Sequence, residues 1–160
     1  AKAITELISK GGDPNLSDKY GRTPLDLSCK LRSKPDVEAL LKNGAKVNEG
    51  DQYGNTALKK VVMDFTGDYR VSEKEKKATL EIIDLLIKNG ADINLKDKSG
   101  RTPLTHIVKE MNPRNQQKVI EIIPELIKRG ALADIRDNDN KSASDYASAS
   151  GVYEIKEMMR

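Results

Sequence analysis

This sequence has few or no residues of several types, and each scarcity excludes a class of protein. A single cysteine, Cys29, rules out an internal disulfide and a multi-cysteine zinc cluster, and it indicates a reducing compartment. With no tryptophan and one phenylalanine, the core must consist of aliphatic side chains, which favours packed helices over a β-sandwich. No apolar run approaches the roughly 18 residues of a membrane-spanning helix, and the amino terminus lacks a signal-peptide pattern.

The charge of the chain is close to balanced. Its 28 basic and 25 acidic residues give a net charge of +3, which is too small to indicate a nucleic-acid or membrane protein by itself. From the single cysteine and from the missing membrane span and signal-peptide pattern, we expect a cytoplasmic protein, or one secreted into a host cell if its source is a pathogen.

Two short motifs recur in phase along the chain. The first reads GRTPL, GNTAL and GRTPL from Gly21, Gly54 and Gly100, with a decayed copy from Asn140. The second reads LLKNGA, LIKNGA and LIKRGA and contains Gly44, Gly90 and Gly130. A truncated forerunner of the second motif, LISKGG, contains Gly11. Successive copies of each motif are then 33, 46 and 40 residues apart, which defines a 33-residue unit with insertions of 13 and 7 residues in the second and third units.

The residues of both motifs have defined local roles. Thr23 and Thr102 each precede a proline. The proline suits the first turn of a helix, and the threonine side chain can cap that helix. The glycine of the second motif stands where a helix ends in a left-handed residue. Each first motif is also preceded by an aspartate whose side chain can accept hydrogen bonds from loop N–H groups. These aspartates are Asp18, Asp51, Asp97 and Asp137.

A 33-residue unit with these motifs resembles the ankyrin repeat over the whole chain. The resemblance implies an all-α solenoid of paired antiparallel helices joined by β-hairpin-like loops, with a concave binding face. The predicted domain covers residues 1–160, as a partial unit at 1–17, repeats at 18–50, 51–96 and 97–136, and a C-terminal capping repeat at 137–160. The partial unit would leave apolar surface uncovered unless further residues precede it.

The outer helices are predicted near 4–10, 36–43, 73–89 and 113–129. In the longer insertion, residues 65–70 read as a loop, and Ser72 with Glu75 has the spacing of a capping box. In the shorter insertion, Asn112 can cap a helix that has Pro113 in its first turn, and Pro124 is expected to interrupt and kink that helix. Two interpretations of the insertions at 65–78 and 112–118 stay open, namely drift in a tolerant connection and a second contact surface.

No pattern in the chain indicates catalysis. His106 has no cysteine or carboxylate at metal-ligand spacing, and Cys29 falls late in an inner helix where small residues pack. Phosphate-binding, zinc-protease and nucleophile-elbow motifs are missing from the sequence. We therefore expect no enzyme activity, no cofactor, no metal and no catalytic residue.

The family resemblance implies that partner contacts lie on the hairpin tips and on the exposed ends of the inner helices. Among the 24 positions that this rule selects, nine are basic and three acidic, so positive charge is concentrated there. Tyr20 and Tyr53 hold equivalent positions and are candidate interface anchors, although each could instead shield its own turn. The predicted partner-binding residues are Lys19, Tyr20, Arg22, Lys30, Tyr53, Asn55, Lys98, Arg101, Lys109 and Arg136.

Three functional hypotheses follow. The first is a monomeric, non-catalytic module that binds an acidic segment of a partner protein through this basic face. The alternative is a scaffold or targeting domain of a larger protein, for example a pathogen effector, whose catalytic domain lies outside this chain. The third, binding of nucleic acid or anionic lipid, is disfavoured because the positive charge is modest and stacking aromatics are few.

Overall fold

A computed structural model describes residues 2–67 and 72–159, and these residues form nine α-helices. No strand occurs among them, and one isolated bridge joins Gly50 to Thr56. The helices are α1 (Lys2–Ser9), α2 (Pro24–Lys30), α3 (Lys34–Lys42), α4 (Ala57–Gly67), α5 (Glu73–Lys88), α6 (Pro103–Lys109), α7 (Gln116–Lys128), α8 (Ala143–Ala149) and α9 (Tyr153–Met158).

The inner helices begin as the motif predicts. The Thr23 hydroxyl accepts a hydrogen bond from the Asp26 N–H and the Asp26 carboxylate accepts one from the Thr23 N–H, so α2 starts with a capping box and a proline in its first turn. Thr102 caps α6 through the Thr105 N–H at 3.1 Å. In the decayed motif, Ser142 and Asp145 cap α8 in the same way as Thr23 and Asp26 cap α2.

The capping box predicted for the longer insertion is confirmed, and α5 runs from Glu73 to Lys88. The prediction for the loop before it is wrong over Phe65–Gly67, because these residues continue α4. Phe65 is fully buried and Thr66 donates to the Val62 carbonyl, so burial of the aromatic ring stabilises an extra helical turn. The other residues of that predicted loop, 68–70, lie outside the described residues.

The helix of the shorter insertion starts later than predicted. Pro113 does not occupy its first turn, because the Asn112 and Asn115 side chains accept backbone hydrogen bonds that hold residues 112–115 in a separate turn before Gln116. The predicted interruption at Pro124 is also wrong, since α7 continues through it. Pro124 is exposed, and the buried Ile120, Ile123 and Leu126 keep the helix packed; the kink stays a prediction.

The described residues divide into two compact units. The first contains residues 2–61 and 72–92, and its core includes Leu25, Leu40, Leu58, Ile82 and Leu86, all nearly or fully buried. The second contains residues 62–67 and 93–159, with a core built on such residues as Leu104, Ile122, Ile123, Leu126 and Ile155. Most of the buried side chains in both cores are aliphatic. Cys29 and Lys59 are also buried in the first core, and Phe65 is buried in the second.

Three asparagines, each four residues after a glycine of the second motif or of its truncated forerunner, link consecutive repeats. In the first unit, Asn15 donates to the Gly44 carbonyl at 3.1 Å and accepts from the Lys46 N–H at 2.7 Å. Asn48 makes the same pair of bonds to the next copy, at Gly90 and Asp92. In the second unit, Asn94 makes the pair to Gly130 and Leu132. An amide supplies both the donor and the acceptor that this exposed loop backbone needs.

Candidate protein-binding surface

The four hairpin tips share one hydrogen-bonding scheme centred on an aspartate. The Asp18 carboxylate accepts from the Tyr20 and Arg22 N–H groups at 2.9 and 3.0 Å, while its backbone carbonyl accepts from Gly21. Asp51, Asp97 and Asp137 make the equivalent bonds in their own tips. The structural role predicted for these aspartates is confirmed, and each tip is a fixed platform for the side chains that it presents.

Glycine is required at the turn of a tip for two reasons. Gly21 has φ of 76°, in the left-handed region, and a Cβ there would lie 3.0 Å from the Gln52 backbone nitrogen. The tips at 18–22 and 51–55, both in the first unit, therefore pack directly against each other. Asn140 replaces glycine in the last tip with φ of 58°, which asparagine tolerates better than most residues.

The two tips of the second unit are also joined. The Asn138 N–H donates to the Ser99 carbonyl at 3.1 Å, and the Asn138 side-chain amide donates to the Lys98 carbonyl at 3.0 Å. A Cβ at Gly100 would lie 2.8 Å from the Asn138 backbone nitrogen, so this approach also needs glycine. No sequence pattern indicated that Asn138 would link two tips.

The two candidate anchor tyrosines are exposed. Tyr20 is 48% and Tyr53 is 62% accessible, so about half or more of each side chain is open to contact with a partner. The Lys19 ammonium and the Arg22 guanidinium lie 4.9 and 5.1 Å from the centre of the Tyr20 ring. These cation–π contacts hold Tyr20 within a group of positive charges.

Four of the predicted basic contacts already have partners within the chain. The Arg22 guanidinium binds Asp18 at 2.7 Å and lowers the pKa of that carboxyl from 3.8 to about 2. Arg101 pairs with Glu110, and Arg136 with Asp145, both at 3.1 Å. Lys109 lies 2.6 Å from the Asp139 carboxylate and 3.6 Å from that of Asp137, and the hydrogen bond to Asp139 raises the lysine pKa. These side chains hold the tips together as well as carrying charge.

The remaining predicted residues are differently placed. Lys19, Lys30 and Lys98 are exposed, and in the part of the chain that the structure describes none of them has an ion-pair partner. Asn55 is partly buried, and its N–H donates to Asp51. The three lysines are therefore the cations best able to meet an external carboxylate.

Two exposed leucines on α2 extend the candidate surface. Leu27 and Leu31 are 45% and 78% accessible and are one helical turn apart, with the Leu31 N–H bonded to the Leu27 carbonyl. Leu27 was not among the selected positions. Aligning the repeats would have found it, because the equivalent residues Lys60, His106 and Tyr146 are all polar or amphipathic.

In the repeat that this chain resembles, a histidine usually follows T-P-L, and the residues at that position here are Asp26, Lys59, Thr105 and Asp145. Asp26 takes part in a contact between repeats. In the first unit, the Lys60 ammonium lies 3.0 Å from Asp26 and 3.2 Å from Asp51, and the two carboxylates are 6% and 11% exposed. Burial raises the pKa of Asp51, but N–H donors from Asn55 and Tyr53, together with Lys60, outweigh it and lower that pKa. The lost histidine contacts are thus replaced here by an ion-pair triad.

Cys29 is only 2% exposed, and burial followed by the charge of Asp26 raises its thiol pKa from 9.0 to about 12. The thiol is consequently protonated at neutral pH and buried, as a packing residue should be.

His106 is partly buried within α6. Among the described residues, no group of three or more histidines, cysteines and carboxylates is arranged to hold a metal ion. No described helix has the length and hydropathy needed to cross a bilayer.

Comparison with known protein families gives two matches. A family model for three copies of the ankyrin repeat matches residues 72–159, and a model for a single ankyrin repeat matches residues 20–52. The first match alone spans more than half of the chain, and helices α5 to α9 lie within it. A search of curated proteins finds no match.

Proposed function

Because the chain belongs to the ankyrin repeat family, whose domains generally act as protein-interaction modules, we propose that it binds an acidic segment of a partner protein through its hairpin tips and the adjoining ends of its inner helices. Ankyrin repeat domains are typically non-catalytic, and the buried, protonated Cys29 thiol agrees with a binding role. The proposal concerns the chemistry of the partner and the surface that it contacts.

The presence of exposed, unpaired lysines on rigid tips carries this proposal. Lys19 and Lys98 stand on loops that the Asp18 and Asp97 carboxylates fix, and Lys30 ends α2. A lysine without a carboxylate neighbour gains a new ion pair when an acidic segment arrives, whereas Arg22 would have to share Asp18. Tyr20 and Tyr53 add apolar area with little loss of conformational entropy.

Selection from a random peptide library displayed on phage tests the chemistry of the partner. We expect peptides enriched on the immobilised chain to contain more aspartate and glutamate than the starting library. The Kd of an enriched peptide should increase at least tenfold for Lys19→Glu/Lys30→Glu, because two attractive charges become repulsive. Enrichment of basic or uncharged peptides would contradict the acidic partner.

A matched variant separates local charge from net charge. Lys74→Glu/Lys77→Glu makes the same change on exposed positions of α5 in the same unit. This control should leave the Kd within about twofold, since charges outside an interface mainly affect the association rate. If both double variants weaken binding equally, the tips are not the site.

The anchor role of Tyr20 has its own control. Tyr20→Ala should weaken a selected peptide by about 30-fold, equivalent to roughly 2 kcal/mol, as expected of a buried aromatic anchor. Tyr153→Ala removes a tyrosine that is 74% exposed at the start of α9 and belongs to none of the four tips, and it should have no effect. An unchanged Kd for Tyr20→Ala would show that the tyrosine only covers its turn.

A further inference from the structure

The shorter insertion forms one wall of a cleft in the second unit. The cleft has a volume of about 330 Å³ and lies between the end of α6, the turn at 112–115 and the end of α8. Asn112, Pro113 and Gln116 come from the insertion, and Lys109 is one of the predicted partner-binding residues. The insertion therefore borders the candidate surface in this unit.

Most of the cleft wall is apolar. Val108, Met111, Pro113, Ala149 and Val152 line it, and all except Val108 are at least partly accessible. The volume is at the lower end of the range of about 300–1,000 Å³ that is usual for ligand clefts. An opening of this kind suits one large side chain, since interface anchors commonly fill such pockets.

Nearly all polar side chains in the wall already have partners. Asn112 bonds the backbone of Glu110 and Arg114, and the Ser150 hydroxyl bonds Ala147 and Val152. The Tyr146 hydroxyl donates to Asp137 at 2.8 Å. Gln116 is the exception, because its side-chain amide has no hydrogen-bond partner among the described residues.

The cleft also offers no uncompensated charge. Lys109 is the charged residue of the wall, and the carboxylates of Asp139 and Asp137 hold its ammonium group. The Lys109 ammonium group also lies 4.9 Å from the centre of the Tyr146 ring, so the ring faces this charge. A charged occupant would lose hydration here without gaining a counter-ion, whereas a neutral apolar occupant would lose little.

We propose that this cleft binds a large aliphatic or aromatic side chain of a bound protein segment, and that the Gln116 amide hydrogen-bonds the backbone beside that side chain. The inference rests on the proposed protein-binding function and adds an apolar requirement to the partner. It assigns the shorter insertion to the second of the two interpretations, a contact surface.

Capped amino acids test the cleft without any knowledge of the partner. N-acetyl-leucine amide, titrated into the ¹⁵N-labelled chain, should shift the amide signals of residues 108–116 and 146–152 in a saturable way. N-acetyl-glycine amide, which lacks the side chain, should not. Ala149→Trp fills the cleft from an exposed position and should weaken the leucine probe at least tenfold, while the neighbouring exposed Ser148→Trp should leave its affinity unchanged.

Gln116→Leu tests the amide separately and should reduce the affinity of the leucine probe about threefold or more. The inference fails if the leucine probe gives no saturable shifts, if N-acetyl-aspartate amide binds with the same affinity as the leucine probe, or if Ala149→Trp leaves the affinity of the leucine probe unchanged. An unchanged affinity in Gln116→Leu would remove the assigned backbone contact.

The probe also separates this inference from the proposed function. Lys19→Glu/Lys30→Glu should leave binding of the leucine probe unchanged, because neither lysine lines the cleft. A chain that binds the leucine probe but selects no acidic peptide would contradict the acidic partner alone. A chain that selects acidic peptides but ignores the probe would contradict the cleft alone.

Discussion

A single aspartate organises each hairpin tip by accepting two backbone N–H groups through one carboxylate oxygen. The position of this residue three places before the turn glycine was sufficient to predict its role, because few side chains can accept bonds in so short a loop. The ion pair of Asp18 was less predictable, since no sequence pattern indicated that Arg22 binds Asp18 instead of facing solvent.

The Asp18 carboxyl should titrate at low pH. Its pKa of about 2 lies below the ordinary 3.8, so the stability that it contributes is complete above pH 3.8 and is lost as the pH falls toward 2. Arg22→Gln should raise this pKa toward 3.8, whereas Lys19→Gln should change it little. Carbon-13 NMR titration of the carboxyl measures both, and a midpoint near 3.8 in the unaltered chain would contradict the Arg22 contact.

Cys29 should resist modification in the native protein. The thiol is buried and its pKa is raised to about 12, so almost no accessible thiolate exists at pH 8. We expect slow reaction with dithionitrobenzoate in buffer and complete reaction in denaturing urea. Stoichiometric labelling of the folded chain at the rate of a small thiol would contradict the burial of this residue.

Helix ends were predictable to the extent that capping residues determine them. Ser72 and Glu75 placed the start of α5 correctly, because both partners of the capping box lie within one turn. The ends of α4 and the start of α7 were not predictable in this way. Phe65 extends α4 through burial, and Asn115 holds a separate turn before α7, and both depend on contacts that spacing does not reveal.

The ion-pair triad of Asp26, Lys60 and Asp51 links elements of consecutive repeats in the first unit. Lys60→Met should lower the free energy of unfolding by about 3 kcal/mol, because it leaves two poorly exposed carboxylates without a counter-ion. Urea denaturation measures the loss, and Lys77→Met, at an exposed site of α5, should stay within about 0.5 kcal/mol.

A double variant distinguishes loss of charge balance from loss of packing. Asp26→Asn/Lys60→Met should cost less than the sum of the two single substitutions, since the double variant leaves one poorly exposed carboxylate, that of Asp51, without a counter-ion, whereas Lys60→Met alone leaves two. Strict additivity, or a loss below 0.5 kcal/mol for Lys60→Met, would contradict a stabilising role for the triad.

At the scale of the whole molecule, repeat spacing identified the family and the order of helices, because both motifs carry strong local constraints. The same reasoning predicted only part of the candidate surface. Counting charges at tip positions could not separate Lys19, Lys30 and Lys98 from Arg22, Arg101 and Lys109, because the ion pairs of the second group are visible only in the structure. The cleft beside Gln116 was likewise invisible, since its walls come from three separate segments.

The most direct test of the central claim maps where a selected acidic peptide binds. Titrating that peptide into the ¹⁵N-labelled chain should shift amide signals in the tips at 18–22 and 51–55 and at the end of α2, with weaker shifts at raised salt. Shifts confined to the outer helices α3, α5 and α7, with the tip signals unmoved, would contradict binding through the hairpin tips.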